Sequence, residues 1–165
     1  MRIDAKSNKK IIHFKNLSSS TFKDVKGKKV LVGGCFDIFH YGHLLFLNKA
    51  KDQGDLLIIA LESDEFIRKQ KSRDPVHNHR QRANILASFI FVDYIIMLPL
   101  LTSNRGYLRL VELIRPEIIA VSKGDPQLAE KRKQAREIGG GVKVVAPIFK
   151  PFSTKRILTI LQKEL

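Results

Sequence analysis

The chain has 165 residues, 44% hydrophobic and 28% charged, with a formal net charge of +14, which fits one folded domain around one core and excludes a disordered chain. No apolar run reaches the roughly 18 residues of a membrane span, and the start "MRIDAKSNKK" lacks the apolar segment of a secretory signal. Cys35 stands alone, which excludes an internal disulfide and a cysteine-built zinc cluster and fits a reducing cytoplasm, where we expect the protein.

Residues 1–30 hold nine Lys or Arg against two Asp or Glu, so half of the net charge precedes the first motif. Residues 1–27 read as a basic extension that packs through Ile11, Ile12 and Phe14, and residues 28–165 as the domain proper. The charge suits small polyanions such as nucleotides, or a solvated basic surface. No aromatic residues are interleaved with it to stack bases, so nucleic acid is not an expected partner.

"KKVLVGG" (28–34) is a buried strand ending in glycine, and "YGHLLFLNKAKDQ" (41–53) is a helix closed at Gly54. "LLIIAL" (56–61) is a continuous aliphatic run, as expected of a parallel strand covered on both faces. Helices follow over 64–71 and 79–89, joined by the loop "SRDPVHNH". A strand over 92–98, a helix over 104–114 stopped by Pro116 and a strand over 117–121 come next. A helix over 126–138, a strand over 142–146 and a helix over 153–165 complete the chain. Strands alternating with helices predict an α/β fold: a Rossmann-like, doubly wound, five-stranded parallel sheet.

Ligands of such sheets bind at the carboxyl ends of the strands, near the switch point. The first strand there runs into "GGCFDIFHYGH" (33–43). Gly33 and Gly34 let backbone approach a ligand. His40 and His43 bracket a helix start, where free N–H groups and the dipole favour an anion. Three residues apart, the imidazoles share one face, and Gly42 between them leaves room. Backbone amides and cationic side chains at one place suit phosphoryl or nucleotidyl transfer, in which the protein positions groups and stabilises charge. Cys35, beside this site, reads as a packing residue because no step needs a thiolate.

"GGCFDIFHYGH" resembles the first motif of the cytidylyltransferase-like nucleotidyltransferases, whose hallmark is His-x-Gly-His after the first strand. The resemblance spans about residues 10–165 and is strongest to the ADP-heptose synthase adenylyltransferase domain and the glycerol-3-phosphate cytidylyltransferases. It implies catalytic roles for His40, His43, Lys71 and Arg82. It also implies nucleotide contacts at Gly33, Gly34, Cys35, Phe36, Gly42, Gly124, Asp125, Ser153, Thr154 and Lys155. Asp37 would bind Mg²⁺, orient His40 or cap the turn. The implied reaction moves AMP or CMP from ATP or CTP to a phosphorylated sugar or polyol, with Mg²⁺, in a homodimer. A non-catalytic nucleotide- or RNA-binding protein on the same fold is the alternative. Lys123, Ile148 and Lys155 depart from the family pattern, and the apolar Ile148 leans toward the heptose-type relatives. "HNH" (77–79) is not spaced as a nuclease site, Gly139–Gly141 read as a helix stop, and "EKRKQAR" (130–136) reads as a solvated helix face.

Overall fold

The computed structural model describes residues 9–147, 154–161 and 163, with the backbone alone for Lys155. The strands are β1 (Ile11–His13), β2 (Lys29–Gly34), β3 (Leu56–Leu61), β4 (Tyr94–Met97), β5 (Ile118–Ser122) and β6 (Gly141–Ala146). The helices are α1 (Tyr41–Lys51), α2 (Asp64–Lys71), α3 (His79–Ala87), α4 (Asn104–Ile114), α5 (Leu128–Glu137) and α6 (Thr154–Leu161).

The sheet is parallel throughout, in the order β1-β4-β3-β2-β5-β6. Among the described residues it has six strands where the sequence pattern gives five. The sixth is Ile11–His13, which pairs with β4 in the register Ile11↔Ile95 to His13↔Met97. Three residues amid Lys and Asn are too short to register as a strand by periodicity. The aliphatic β3 is the most deeply placed: Leu57, Ile58, Ile59 and Leu61 are fully buried.

Two apolar layers cover the sheet. One joins Val30, Val32, Leu57 and Ile59 to Leu47, Ala83 and Leu86 from α1 and α3. The other joins Leu31, Ile58 and Ile119 to Leu110, Val111, Ile114 and Ala135 from α4 and α5. Alternation along each strand sends successive side chains to opposite layers.

Side-chain caps fix the starts of α2 and α3. Ser63 accepts from Phe66 N at 3.2 Å and starts α2. Asn78 and Gln81 form a reciprocal capping box on α3. Because β2 pairs parallel with both β3 and β5, all three deliver their following residues to the same edge of the sheet.

Candidate nucleotide site at the switch point

After β2 the chain continues to β3 and β4 on one side, and later to β5 and β6 on the other. The switch point therefore lies between β2 and β5, where ligands of open α/β sheets bind. A cleft of about 170 Å³ sits there. Gly33–Phe36, His43, Ser122, Asp125 and Lys131 contribute to its lining.

The turn after β2 folds back on itself. Phe36 has a φ of 46°, in the left-handed region that non-glycine residues rarely adopt. Its buried ring lies against Gly34, where a Cβ would meet Phe36 Cε2 at 2.9 Å. Gly34 is thus required by a close approach. The same ring meets His43 edge-on at 5.1 Å, and Phe39 flanks His43 from 5.6 Å. The strained turn thereby sets the orientation of an imidazole.

His40 caps α1. Its Nδ1 accepts from His43 N at 3.3 Å, which leaves Nε2 as the N–H donor of the neutral ring. The two imidazoles stack at 3.8 Å, within 14° of parallel. Burial pushes the His40 pKa down. Burial, then His40 and Lys71, push that of His43 down to about 3. The sequence pattern suggested cationic rings; in the free site both are neutral at pH 7. Desolvation leads, and the positive end of the α1 dipole acts in the same direction. The rings present N–H donors, and an arriving polyphosphate favours their protonation.

Arg82 has no exposed surface. Its guanidinium donates to Asp64 Oδ1 at 2.7 Å, Cys35 O at 2.6 Å and His77 O at 3.1 Å. It ties the turn after β2 to α2 and to the loop before α3. Asp37, 2% exposed, is engaged in the same way: Oδ1 accepts from Val76 N at 2.9 Å and His77 N at 3.1 Å, and Oδ2 pairs with Arg73 at 2.6 Å. Lys71 is exposed at the end of α2, near enough for its charge to act on Cys35 and His43. Burial raises the Cys35 thiol above its ordinary range, so it stays protonated.

On the far side of β2, the strand pairing shifts register between Val121 and Ser122, and Gly124 follows with a φ of 78°. That turn delivers Asp125, whose Oδ1 accepts from Gln127 N at 2.8 Å and whose Oδ2 pairs with Lys131 at 2.7 Å. Gly33 lies open, with nothing nearer than Ala60 O at 4.0 Å to a built Cβ, and Gly42 is buried in the first turn of α1. Thr154 is the first residue of α6. Ser153, Ile148 and the Lys155 side chain lie outside the described residues.

Sequence reasoning missed two groups. Lys131 belongs to a run read as a solvated face, yet it lines the cleft, while Gln134 and Ala135 of the same helix are buried. Its signal was the spacing to Asp125 across the start of α5. Glu62, directly after β3, is 7% exposed and accepts from Tyr107 Oη at 3.0 Å. Burial pushes its pKa up to about 7, against the Tyr107 hydrogen bond and the charges of Lys131 and Arg82. A lone charge closing an aliphatic strand was the available signal.

A parallel sheet with paired imidazoles at a helix start, opening on the switch point between glycine-bearing turns, defines the nucleotidyltransferase class of α/β proteins. Comparison with known proteins gives the family. Residues 31–163 match the family described as Cytidylyltransferase-like, and the chain belongs to it.

Curated relatives include the bifunctional protein HldE of Helicobacter hepaticus, 34% identical over 145 residues that make up 86% of this chain and 28% of that protein. HldE of Geobacter sulfurreducens is 36% identical over 141 residues, covering 83% of this chain and 28% of the relative. The chain thus spans less than a third of the length of these relatives. Among solved structures, the lipopolysaccharide core biosynthesis protein of Thermoplasma volcanium superposes with a TM-score of 0.61 at 25% identity, covering 74% of this chain and 97% of that one. The pantoate-beta-alanine ligase of Francisella tularensis shares the fold, with a TM-score of 0.61 at 17% identity over 82% of this chain and 66% of that one. Among the described residues, no helix is long and apolar enough to cross a membrane.

Proposed function

We propose that this chain is a heptose-phosphate-type adenylyltransferase, acting on ATP and a phosphorylated sugar. The observation that carries this is the stacked His40–His43 pair at the start of α1, beside the switch-point cleft. The kinship with HldE supports the heptose-type acceptor and ATP over CTP.

In the reaction, a phosphate oxygen of the acceptor attacks the α-phosphorus of ATP. The new P–O bond forms as the bond to the β-phosphate oxygen breaks, and pyrophosphate leaves with that electron pair. The nucleophile is already ionised, so no general base is needed. His40 Nε2–H, His43 and the free N–H groups of α1 hold the polyphosphate and stabilise the charge that builds on it. Lys71 and Lys131 add positive charge from opposite sides of β2. Gly33–Phe36 and Gly124–Asp125 seat the nucleotide, with Ser153, Thr154 and Lys155 assigned to its phosphates. Arg82 acts as a positioning residue: it fixes the carbonyl of Cys35, and so the turn.

Proteins of this family act with a divalent metal. The donor set described does not fit a resident magnesium ion. Among the described residues, no three His, Cys, Asp or Glu side chains come together to hold one. Asp37, the residue assigned to it, is engaged by Arg73 and two backbone amides. Magnesium therefore enters as part of the nucleotide substrate, and Asp37 holds the 73–77 loop.

The test is pyrophosphate release from ATP and from CTP with a panel of sugar and polyol phosphates. Turnover with ATP and heptose 1-phosphate supports the reading. Preference for CTP with glycerol 3-phosphate would replace it with a cytidylyltransferase. No turnover with any pair, together with salt-dependent RNA binding, would make the chain a non-catalytic binding protein.

A further inference from the structure

We propose that Glu62 determines acceptor specificity, its unpaired carboxyl oxygen forming a hydrogen bond with a hydroxyl of the sugar. The inference rests on the adenylyl-transfer reading and adds a residue to it.

Glu62 follows β3 directly, and its backbone N–H donates to Gly34 O at 3.0 Å, which ties it to the end of β2. Its side chain is more than nine-tenths buried. Oε1 accepts from the Tyr107 hydroxyl. Oε2 is buried and has no hydrogen-bond partner. Buried polar atoms of native proteins are nearly always paired, so an orphan oxygen at a ligand-binding edge implies a partner that arrives with the ligand.

The location selects that ligand. Gly34, whose carbonyl accepts from the Glu62 N–H, lines the cleft, and the charge of Glu62 reaches Cys35 and Lys131, which line it too. Glu62 therefore adjoins the cleft from the β3 side. The residues assigned to the nucleotide belong to β2 and the turn and helix after it (Gly33–Phe36, Gly42) or follow β5 and β6 beyond it, and none follows β3 or β4. The flank bearing Glu62 and Tyr107 is left for the acceptor.

The chemistry selects the group. A phosphate would be repelled by a carboxylate and is already served by Lys71 and Lys131. A hydroxyl both donates and accepts, so it matches a carboxyl in either protonation state and the adjacent Tyr107 hydroxyl. A site built to bond a hydroxyl rejects the analogue that lacks it, because its own polar groups are then left unpaired.

The experiment measures steady-state kinetics of the full chain with ATP, heptose 1-phosphate and the single-deoxy analogues of that sugar phosphate. Wild type is compared with Glu62→Leu, Glu62→Gln and Tyr107→Phe. Glu62→Leu is expected to raise the acceptor KM about tenfold or more and to leave the nucleotide KM within about threefold. One deoxy analogue is expected to lose a similar factor with wild type and nothing further with Glu62→Leu, a coupling that a purely structural role would not produce. Should Glu62→Leu fail to fold, Glu62→Gln keeps the shape and the Tyr107 bond; its penalty for that analogue must shrink by about threefold or more. An active wild type whose acceptor KM and deoxy penalties are unchanged by these substitutions overturns this inference alone. A wild type inactive with every acceptor and both nucleotides overturns the proposed function, and this inference with it.

Discussion

Arg82→Met removes a guanidinium with no exposed surface while keeping an unbranched apolar chain. It leaves Oδ1 of Asp64, a side chain 18% exposed, and the carbonyls of Cys35 and His77 without the Arg82 donor, while Asp64 Oδ2 keeps the His79 N–H. Breaking one partner out of a buried ion pair costs about 3–5 kcal/mol. At about 2–4 °C per kcal/mol for a chain of this size, the melting temperature should fall by roughly 6–20 °C. Arg82→Lys keeps the charge but loses the planar fork that serves three acceptors at once, so it should recover less than about half of that loss. Calorimetry and urea denaturation measure the stability change, and pyrophosphate release measures activity. The proposed mechanism has the turn at Cys35 position both substrates, so kcat should fall along with kcat/KM for nucleotide and for acceptor. An Arg82→Met protein that melts within about 2 °C of wild type, with only its nucleotide KM raised, would refute this reasoning. Arg82 would then contact phosphate directly.

Cys35→Ser should keep activity within about tenfold, because the protonated thiol is not required by the chemistry; a covalent intermediate on Cys35, seen by mass spectrometry, would contradict this. Glu62 has a folded pKa of about 7, above its ordinary 4.5, so the fold favours its neutral form. It therefore contributes stability below pH 4.5 that is lost as pH rises through 7, up to about 3 kcal/mol. His43, depressed to about 3, acts oppositely: its contribution is complete above pH 6.5 and is lost as pH falls. The two overlap, so the readout is the difference between Glu62→Gln and wild type, which should move in favour of the variant between pH 5 and 7.5; a flat difference would show that Glu62 is not buried as described. Deleting residues 1–9 should change kcat/KM by less than about twofold, since any tie to anions is screened beyond about 8 Å. Deleting 1–13 should lower the melting temperature, because it strips β1 from the sheet, along with the Lys10 bond to Phe89 O and the Ile95 N–H bond to Lys10 O.

The parts of the fold that were readable are those in which one chemical signal dominates. "LLIIAL" reads as a central parallel strand and is one, and the Gly33–Gly34 pair marks the turn that opens on the switch point. The strand Ile11–His13 was not readable. It is three residues long, and only the edge of β4, eighty residues away in sequence, makes it a strand. Paired imidazoles at a helix start pointed to the candidate phosphate site, but their charge state did not follow, because desolvation is a tertiary fact. Arg82 looked like a phosphate ligand because arginine serves either purpose; its burial against Asp64 and two carbonyls appears only when three loops meet. Lys131 was hidden in a charge run, where sequence alone cannot tell the one lysine that turns inward from its solvated neighbours.

The most direct test of adenylyl transfer at the His40–His43 pair is the turnover of ATP and heptose 1-phosphate by wild type, His40→Ala and His43→Ala, read as pyrophosphate and nucleotidylated sugar formed in equal amounts. The account predicts turnover by wild type and a loss of about two to four powers of ten in each variant, the scale of removing a preorganised charge-stabilising donor. Near wild-type turnover in either folded variant would contradict it.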